Sequence, residues 1–79
     1  MSGRIVKYSK QTKKFLDRQE PQTKKRVVTA IEKLPAGDVK KLTGMPYFRL
    51  RVGNIRVIFD MYGRVISIIK IENRGQAYK

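Results

Sequence analysis

The chain has 79 residues, and its 19 Lys and Arg against 6 Asp and Glu give a formal net charge of +13 at pH 7. It has no cysteine and no histidine, which excludes disulfides and thiolate metal sites and removes the usual base of imidazole catalysis. A chain this short is expected to form one domain over residues 1–79, with no metal or other cofactor.

The positive charge makes a polyanion the first expected partner, because a field of this sign attracts polyanions whatever the fold. Nucleic acid is the first candidate and an acidic protein the second. An anionic membrane is the third and weakest, since no basic amphipathic segment carries a bulky apolar face. No segment resembles a signal peptide, and no apolar run approaches the roughly 20 residues of a membrane span. We therefore expect a cytoplasmic protein without a membrane partner.

The first half of the chain predicts one strand and two helices. Arg4–Tyr8 is short and β-prone, which predicts a strand. Ser9 is a favourable N-cap for a helix over Lys10–Arg18. Pro21 suits the first turn of a second helix that extends to about Leu34. The apolar stripe of this second helix consists of Val27, Val28, Ile31 and Leu34.

The second half predicts a loop over Asp38–Pro46 and then three strands. Tyr47–Phe59 (YFRLRVGNIRVIF) alternates apolar and basic residues on both sides of Gly53-Asn54, a two-residue hairpin signal in which both residues can adopt positive φ. Val65–Glu72 predicts the last strand. The predicted class is α+β, in the order βααβββ, with two N-terminal helices packed on one side of a mostly antiparallel four-stranded sheet.

The register of the last strand depends on the loop that precedes it. A loop of two or four residues places Ile66 and Ile68 on the core face, whereas a loop of three residues places Ile69 and Ile71 there. Apolar residues on both faces of this strand predict an interior position in the sheet.

Three arginines of the hairpin share one face of the predicted sheet: Arg49, Arg51 and Arg56. The two-residue loop places Arg51 directly opposite Arg56, and like charges in that arrangement cost stability. Because the planar guanidinium group grips phosphate bidentately, this cluster predicts a phosphate site. The alternative is a solvated polar face that covers a core.

Two segments, Lys40–Phe59 and Ile71–Lys79, resemble the RelE/ParE superfamily of toxins from prokaryotic toxin–antitoxin modules. The matching motifs are a Leu-x-Gly turn, an Arg-Leu-Arg-Val-Gly-x-x-Arg hairpin and a closing Arg-x-x-x-Tyr. The predicted order of elements also matches, so the resemblance covers essentially the whole chain. The spacing of Arg74 and Tyr78 favours the RelE-like branch, which cuts mRNA on the ribosome, over the ParE-like branch, which inhibits DNA gyrase.

The resemblance implies a toxin that cuts mRNA in the ribosomal A site and so inhibits translation. In this mechanism a 2′-hydroxyl attacks the scissile phosphate and no metal is needed. The implied partners are a cognate antitoxin and the ribosome with its mRNA and rRNA. Two alternatives remain, a ParE-like gyrase inhibitor and a catalytically weak RNA-binding relative.

The resemblance also implies roles for five side chains. Arg49 and Arg51 match the catalytic basic pair, and Arg56 matches the phosphate-binding arginine. Arg74 matches the arginine that protonates the leaving 5′-oxygen, and Tyr78 matches the aromatic residue that orients or stacks on the substrate. On the helices, five lysines are predicted to dock rRNA backbone, with a plain solvated helix face as the alternative: Lys10, Lys13, Lys14, Lys24 and Lys25.

The catalytic pair departs from the family pattern, because the best-understood member has lysine where this chain has Arg49 and Arg51. At pH 7 the pKa of a guanidinium group is so far above neutrality that roughly one group in 10⁷ is neutral, a penalty of about 9 kcal/mol against about 4.6 for lysine. We therefore predict an electrostatic role for the pair, with proton removal by water or a ribosomal group. Glu72 is a further candidate base, although it is expected more often to tether one of the arginines.

Overall fold

Two helices and one five-stranded sheet make up the computed structural model, which describes residues 4–73. The elements are β1 (Ile5–Tyr8), α1 (Lys10–Asp17), α2 (Pro21–Glu32), β2 (Val39–Lys41), β3 (Phe48–Val52), β4 (Ile55–Tyr62) and β5 (Val65–Asn73). The strands lie side by side in the order β1-β5-β4-β3-β2. The α+β class and both predicted helices are confirmed. Among residues 4–73, neither helix is long and apolar enough to cross a membrane.

The prediction of four strands in the order βααβββ is wrong, because β2 forms inside the predicted loop. Val39 pairs with Leu50 and Lys41 with Phe48, antiparallel to β3. A strand of three residues is too short to show a period of two, so its pairing with β3 defines it rather than its own sequence. The sheet is also mixed, since β1 runs parallel to β5 from the Ile5–Val65 pair to the Tyr8–Ile68 pair.

Both helices begin where their capping residues predict. Ser9 has an extended backbone, and its hydroxyl accepts a hydrogen bond of 3.2 Å from the Thr12 backbone N–H. The Thr12 hydroxyl in turn donates to the Ser9 carbonyl at 2.8 Å. Pro21 occupies the first position of α2, where its missing N–H costs no helical hydrogen bond. The N-cap and the proline therefore define the starts of α1 and α2.

The hydrophobic core lies between the helices and one face of the sheet. Leu16 of α1 and Val27 and Ile31 of α2 are buried in a single cluster with the sheet residues Leu50, Val57, Phe59, Ile66, Ile68 and Ile71. Phe48 stacks on Phe59, its partner across the strands, with ring centroids 5.6 Å apart. Because side chains alternate along a strand, Arg49, Arg51 and Arg56 lie on the opposite face, which we call the arginine face.

A β-bulge in β5 decides which of its side chains reach the arginine face. A two-residue loop joins Tyr62 to Val65, and Ile66 and Ile68 lie in the core. This is the register predicted for a loop of two or four residues. The register then shifts, because Ile58 pairs with Lys70 while Phe59 pairs with Ile68. The extra residue, Ile69, is 36% exposed. Past the bulge, Ile71 returns to the core, and Lys70 and Glu72 join the arginine face.

Candidate nucleic-acid interface

The β3–β4 hairpin brings the three arginines together. Val52 pairs with Ile55 and Arg51 with Arg56, which confirms the predicted two-residue loop. Gly53 has a φ of 60°, whereas no residue other than glycine has a positive φ in the described part of the chain, so Asn54 does not. Of the two loop residues that can adopt positive φ, only Gly53 does so. Positive φ at the first loop position alone, with glycine there, is typical of a type II′ turn.

Arg49, Arg51 and Arg56 line one pocket of about 240 Å³ at the hairpin, together with Gly53, Asn54 and Ile55. The three arginines differ in burial. Arg49 keeps only 13% of its side chain exposed and Arg56 33%, while Arg51 is exposed. The pocket thus has one guanidinium group held in its wall and two that solvent and ligands reach more easily.

Arg49 is only weakly paired within the protein. Its Nη2 atom lies 4.0 Å from Oδ1 of Asp38, at the limit of an ion pair. Its Nη1 atom is buried and finds no hydrogen-bond acceptor among residues 4–73. A buried cationic donor without an acceptor costs free energy. Arg49 therefore has hydrogen-bonding capacity that the residues of the described part of the chain do not fill.

Arg56 is held by Glu72, which lies opposite it on β5. Its Nη2 and Nε atoms lie 3.1 Å and 3.2 Å from Oε1 of the carboxylate. Lys70 holds the other carboxylate oxygen, with 2.9 Å between its Nζ atom and Oε2. The hydrogen bond from Lys70 lowers the pKa of Glu72, the partial burial of the carboxylate opposes this shift, and Arg56 adds to it. Glu72 thus has the tethering role, and its lowered pKa makes it a weaker proton acceptor.

Two rows of residues cross the arginine face. One row runs through Arg51, Arg56 and Glu72, on β3, β4 and β5. The other consists of Lys40, Arg49, Ile58 and Lys70, on β2 to β5. Sequence reasoning missed Lys40, because β2 was not predicted, and Lys70, because the bulge that orients it has no sequence signal of its own.

The predicted RNA-binding lysines lie on the other side of the sheet from the arginine face. Lys10, Lys13 and Lys14 are exposed on α1, and Lys24 and Lys25 are exposed on α2. Lys24 forms an ion pair of 3.2 Å with Asp17. Lys25 lines a cleft of about 620 Å³ between α2 and β3, whose wall also includes Arg26 and Arg51. Lys25 therefore shares a cavity with a hairpin arginine.

Two predicted site residues, Arg74 and Tyr78, lie outside the described residues. The described chain ends at Asn73, which pairs with Ile55 beside Arg56. Within residues 4–73 no three acidic side chains are grouped so that they could hold a metal ion.

Comparison with known proteins relates the chain to RelE toxins. The archaeal RelE–RelB complex from Pyrococcus horikoshii OT3 is similar with a TM-score of 0.77 and 31% sequence identity, over 96% of this chain and 99% of that one. The RelB–RelE antitoxin–toxin complex from Methanococcus jannaschii gives a TM-score of 0.74 and 27% identity, over 92% and 95% of the two chains.

More distant structures share the fold. The isolated RelE toxin of E. coli matches with a TM-score of 0.65 and 18% identity, over 90% of this chain and 84% of that one. No family profile matches the sequence, and no curated protein matches it either. The identity and nearly full coverage of the Pyrococcus match show that the chain belongs to the RelE family of toxins from toxin–antitoxin systems.

Proposed function

We propose that this RelE-family chain is a ribosome-dependent endoribonuclease that cuts mRNA in the A site and so inhibits translation. The observation that carries the proposal is the pocket lined by Arg49, Arg51 and Arg56, in which a buried donor of Arg49 has no acceptor among residues 4–73. A phosphodiester supplies the anionic oxygens that these guanidinium groups bind best.

The proposed reaction needs no covalent intermediate with the protein. The 2′-oxygen attacks the adjacent phosphorus, the bond from phosphorus to the 5′-oxygen breaks, and the products are a 2′,3′-cyclic phosphate and a free 5′-hydroxyl. Arg49, Arg51 and Arg56 neutralise the charge that develops on the phosphate oxygens. Removing one preorganised donor that stabilises a developing oxyanion costs about 10²-fold to 10³-fold in rate in other enzymes.

Proton transfer is divided between this chain and its surroundings. The guanidinium groups of Arg49 and Arg51 hold their protons too tightly to act as bases. Glu72 is engaged by Arg56 and Lys70. We assign removal of the 2′-hydroxyl proton to water or a ribosomal group, protonation of the 5′-oxygen to Arg74, and orientation of the substrate to Tyr78.

The proposed partners are a cognate antitoxin and the ribosome. Two of the structures to which the chain is similar are complexes of RelE with the antitoxin RelB. A net charge of +13 favours an antitoxin with acidic segments as well as ribosomal RNA. Among the helix lysines, Lys25 is the best placed to contact RNA that also reaches Arg51, because both line one cleft.

Toeprinting of a ribosome programmed with mRNA tests the proposed reaction. The purified protein is expected to produce a new mRNA end within the A-site codon, carrying a 2′,3′-cyclic phosphate. Arg74→Ala should abolish the cut, because the leaving oxygen loses its proton donor, and Tyr78→Phe should reduce it. An uncut message with folded protein would contradict the proposal, and gyrase supercoiling would then test the ParE-like alternative.

A further inference from the structure

We infer that Lys70 and Arg56 together bind one RNA phosphate, and that the Glu72 carboxylate is an internal anion which RNA displaces from them. This inference rests on the proposed function, because it assumes that RNA lies on the arginine face. It adds Lys70 to the substrate contacts and makes Glu72 a residue that opposes binding.

The geometry around Glu72 is that of an anion shared by two cations. Oε1 accepts a hydrogen bond from Nε of Arg56 at 3.2 Å and lies 3.1 Å from its Nη2, and Oε2 lies 2.9 Å from Nζ of Lys70. The two non-bridging oxygens of a phosphodiester offer the same pair of acceptors on one atom. The donors that grip the carboxylate are therefore arranged to grip a phosphate.

All three side chains are accessible enough for this exchange. The exposed fractions are 49% for Lys70, 33% for Arg56 and 35% for Glu72. Ion pairs in such solvent-exposed positions contribute little net stability, since water screens them and the side chains lose entropy. A phosphate that enters from solvent therefore meets only a weak internal competitor.

The position of Lys70 follows from the β-bulge. After the bulge, Lys70 pairs with Ile58 of β4, and Ile58 pairs with Arg49 of β3 on its other side. Glu72 pairs with Arg56. Neighbouring strands are about 4.8 Å apart, so Arg51 and Glu72 are separated by roughly 10 Å across the sheet. A phosphate between Arg56 and Lys70 would thus lie next to one held by Arg49 and Arg51 in the same pocket, as a neighbouring phosphate of the same strand would.

Glu72 also has a function in the protein without RNA. Arg51 and Arg56 lie directly opposite each other, and Lys70 adds a third cation to this region. One carboxylate among them reduces their mutual repulsion. Removing it should therefore destabilise the free protein and tighten RNA binding at the same time. A merely structural role for Glu72 would not tighten binding.

The test is the affinity of the full chain for a short fluorescent oligouridylate, measured by anisotropy over a series of salt concentrations. Lys70→Gln should weaken binding several-fold and reduce the slope of log K against log salt by about 0.7, the value for one lost contact to single-stranded RNA. Lys70→Arg should retain binding. The matched control is Lys41→Gln, which removes the same charge from β2, where Lys41 pairs with the core-side residue Phe48.

Glu72→Gln should tighten binding several-fold more than Asp60→Asn. Both substitutions remove one negative charge from the same face of the sheet, but Asp60 pairs with Ser67 rather than with a basic residue. Combining Lys70→Gln with Glu72→Gln separates direct from indirect effects. If Lys70 contacts the phosphate itself, its removal still weakens binding when Glu72 is already neutral.

Arg56→Gln distinguishes this inference from the proposed function. The inference is overturned if Arg56→Gln weakens binding while Lys70→Gln matches Lys41→Gln. It is also overturned if Glu72→Gln binds no tighter than Asp60→Asn, or if the effect of Lys70→Gln disappears once Glu72 is neutral. If Arg56→Gln also matches Lys41→Gln, the arginine face does not hold RNA, and the proposed function is contradicted together with the inference.

Discussion

Charge balance on the arginine face depends on a few individual residues, and Glu72 is the main one. Its carboxylate accepts hydrogen bonds from both Arg56 and Lys70, and the Lys70 bond is the largest cause of its lowered pKa. Arg49 has no equivalent acceptor for its buried Nη1 atom in the part of the chain that the structure describes. The face therefore combines Arg56, which a carboxylate holds at hydrogen-bond distance, with Arg49, whose ion pair with Asp38 is at the 4.0 Å limit.

The lowered pKa of Glu72 predicts how stability depends on pH. A carboxyl group whose pKa is lower in the folded state stabilises the protein above its ordinary pKa, here 4.5, and loses that contribution as the pH falls through the lower folded value. Glu72→Gln should therefore reduce the free energy of unfolding at neutral pH, and the difference from the parent protein should shrink below about pH 4.5. Urea unfolding at a series of pH values measures this, with Asp60→Asn as the control. A difference that stays constant with pH would contradict the prediction.

For individual residues, the sequence predicts the arginine cluster but not the charged residues beside it on the sheet. The two-residue loop and the alternation of side chains determine that Arg49, Arg51 and Arg56 share a face. Lys70 belongs to a strand whose apolar residues occupy both odd and even positions, so alternation alone does not assign its side chains to a face. The bulge decides which face Lys70 joins. Its role in the charge network follows from that long-range pairing and has no local signal.

Among the elements, the β3–β4 hairpin is the one that builds the candidate site. Its turn positions Arg51 opposite Arg56, and Gly53 permits the turn because its φ of 60° is unfavourable for residues with a Cβ atom. A Cβ atom at this position would lie 3.7 Å from Nη1 of Arg26, an ordinary van der Waals contact, so the cost of a side chain here is conformational rather than steric. The positions of Arg51 and Arg56 therefore depend on the backbone conformation of Gly53.

Gly53→Ala should distinguish the effect of the turn on RNA binding from its effect on the stability of the protein. The substitution forces alanine into a left-handed conformation, which should cost about 1–2 kcal/mol in the free energy of unfolding. Gly63→Ala is the matched control, because Gly63 has nearly the same φ, 61°, in the turn between β4 and β5. Urea unfolding should show similar losses, but only Gly53→Ala should weaken RNA binding by the folded protein. Equal RNA affinities for the two variants would contradict this role of the hairpin.

The elements with strong local signals are those that the sequence predicts well. Ser9 and Pro21 define the starts of the helices through capping and a fixed φ. β2 and the bulge of β5 were not predicted, because both depend on pairing with strands distant in sequence. The result is a sheet with one strand more than expected and with Lys40 and Lys70 added to the arginine face.

In the whole molecule, the sheet separates two basic surfaces. The arginine face lies on one side, and the exposed lysines of α1 and α2 lie on the other. The cleft between α2 and β3 connects them, because Lys25, Arg26 and Arg51 all line it. In the proposed function, the arginine face holds mRNA while the helix surface contacts rRNA. This arrangement suits a small protein that lies between two RNA strands on the ribosome.

The central claim is that the arginine face holds the scissile phosphate, and single-turnover cleavage of A-site mRNA on programmed ribosomes tests it most directly. Arg51→Ala should lower the cleavage rate by about 10²-fold or more, because a preorganised cation is lost where charge develops in the transition state. Arg64→Ala, in the β4–β5 turn at the other end of the sheet, removes the same charge and should leave the rate nearly unchanged. Equal rates for the two variants would contradict the claim.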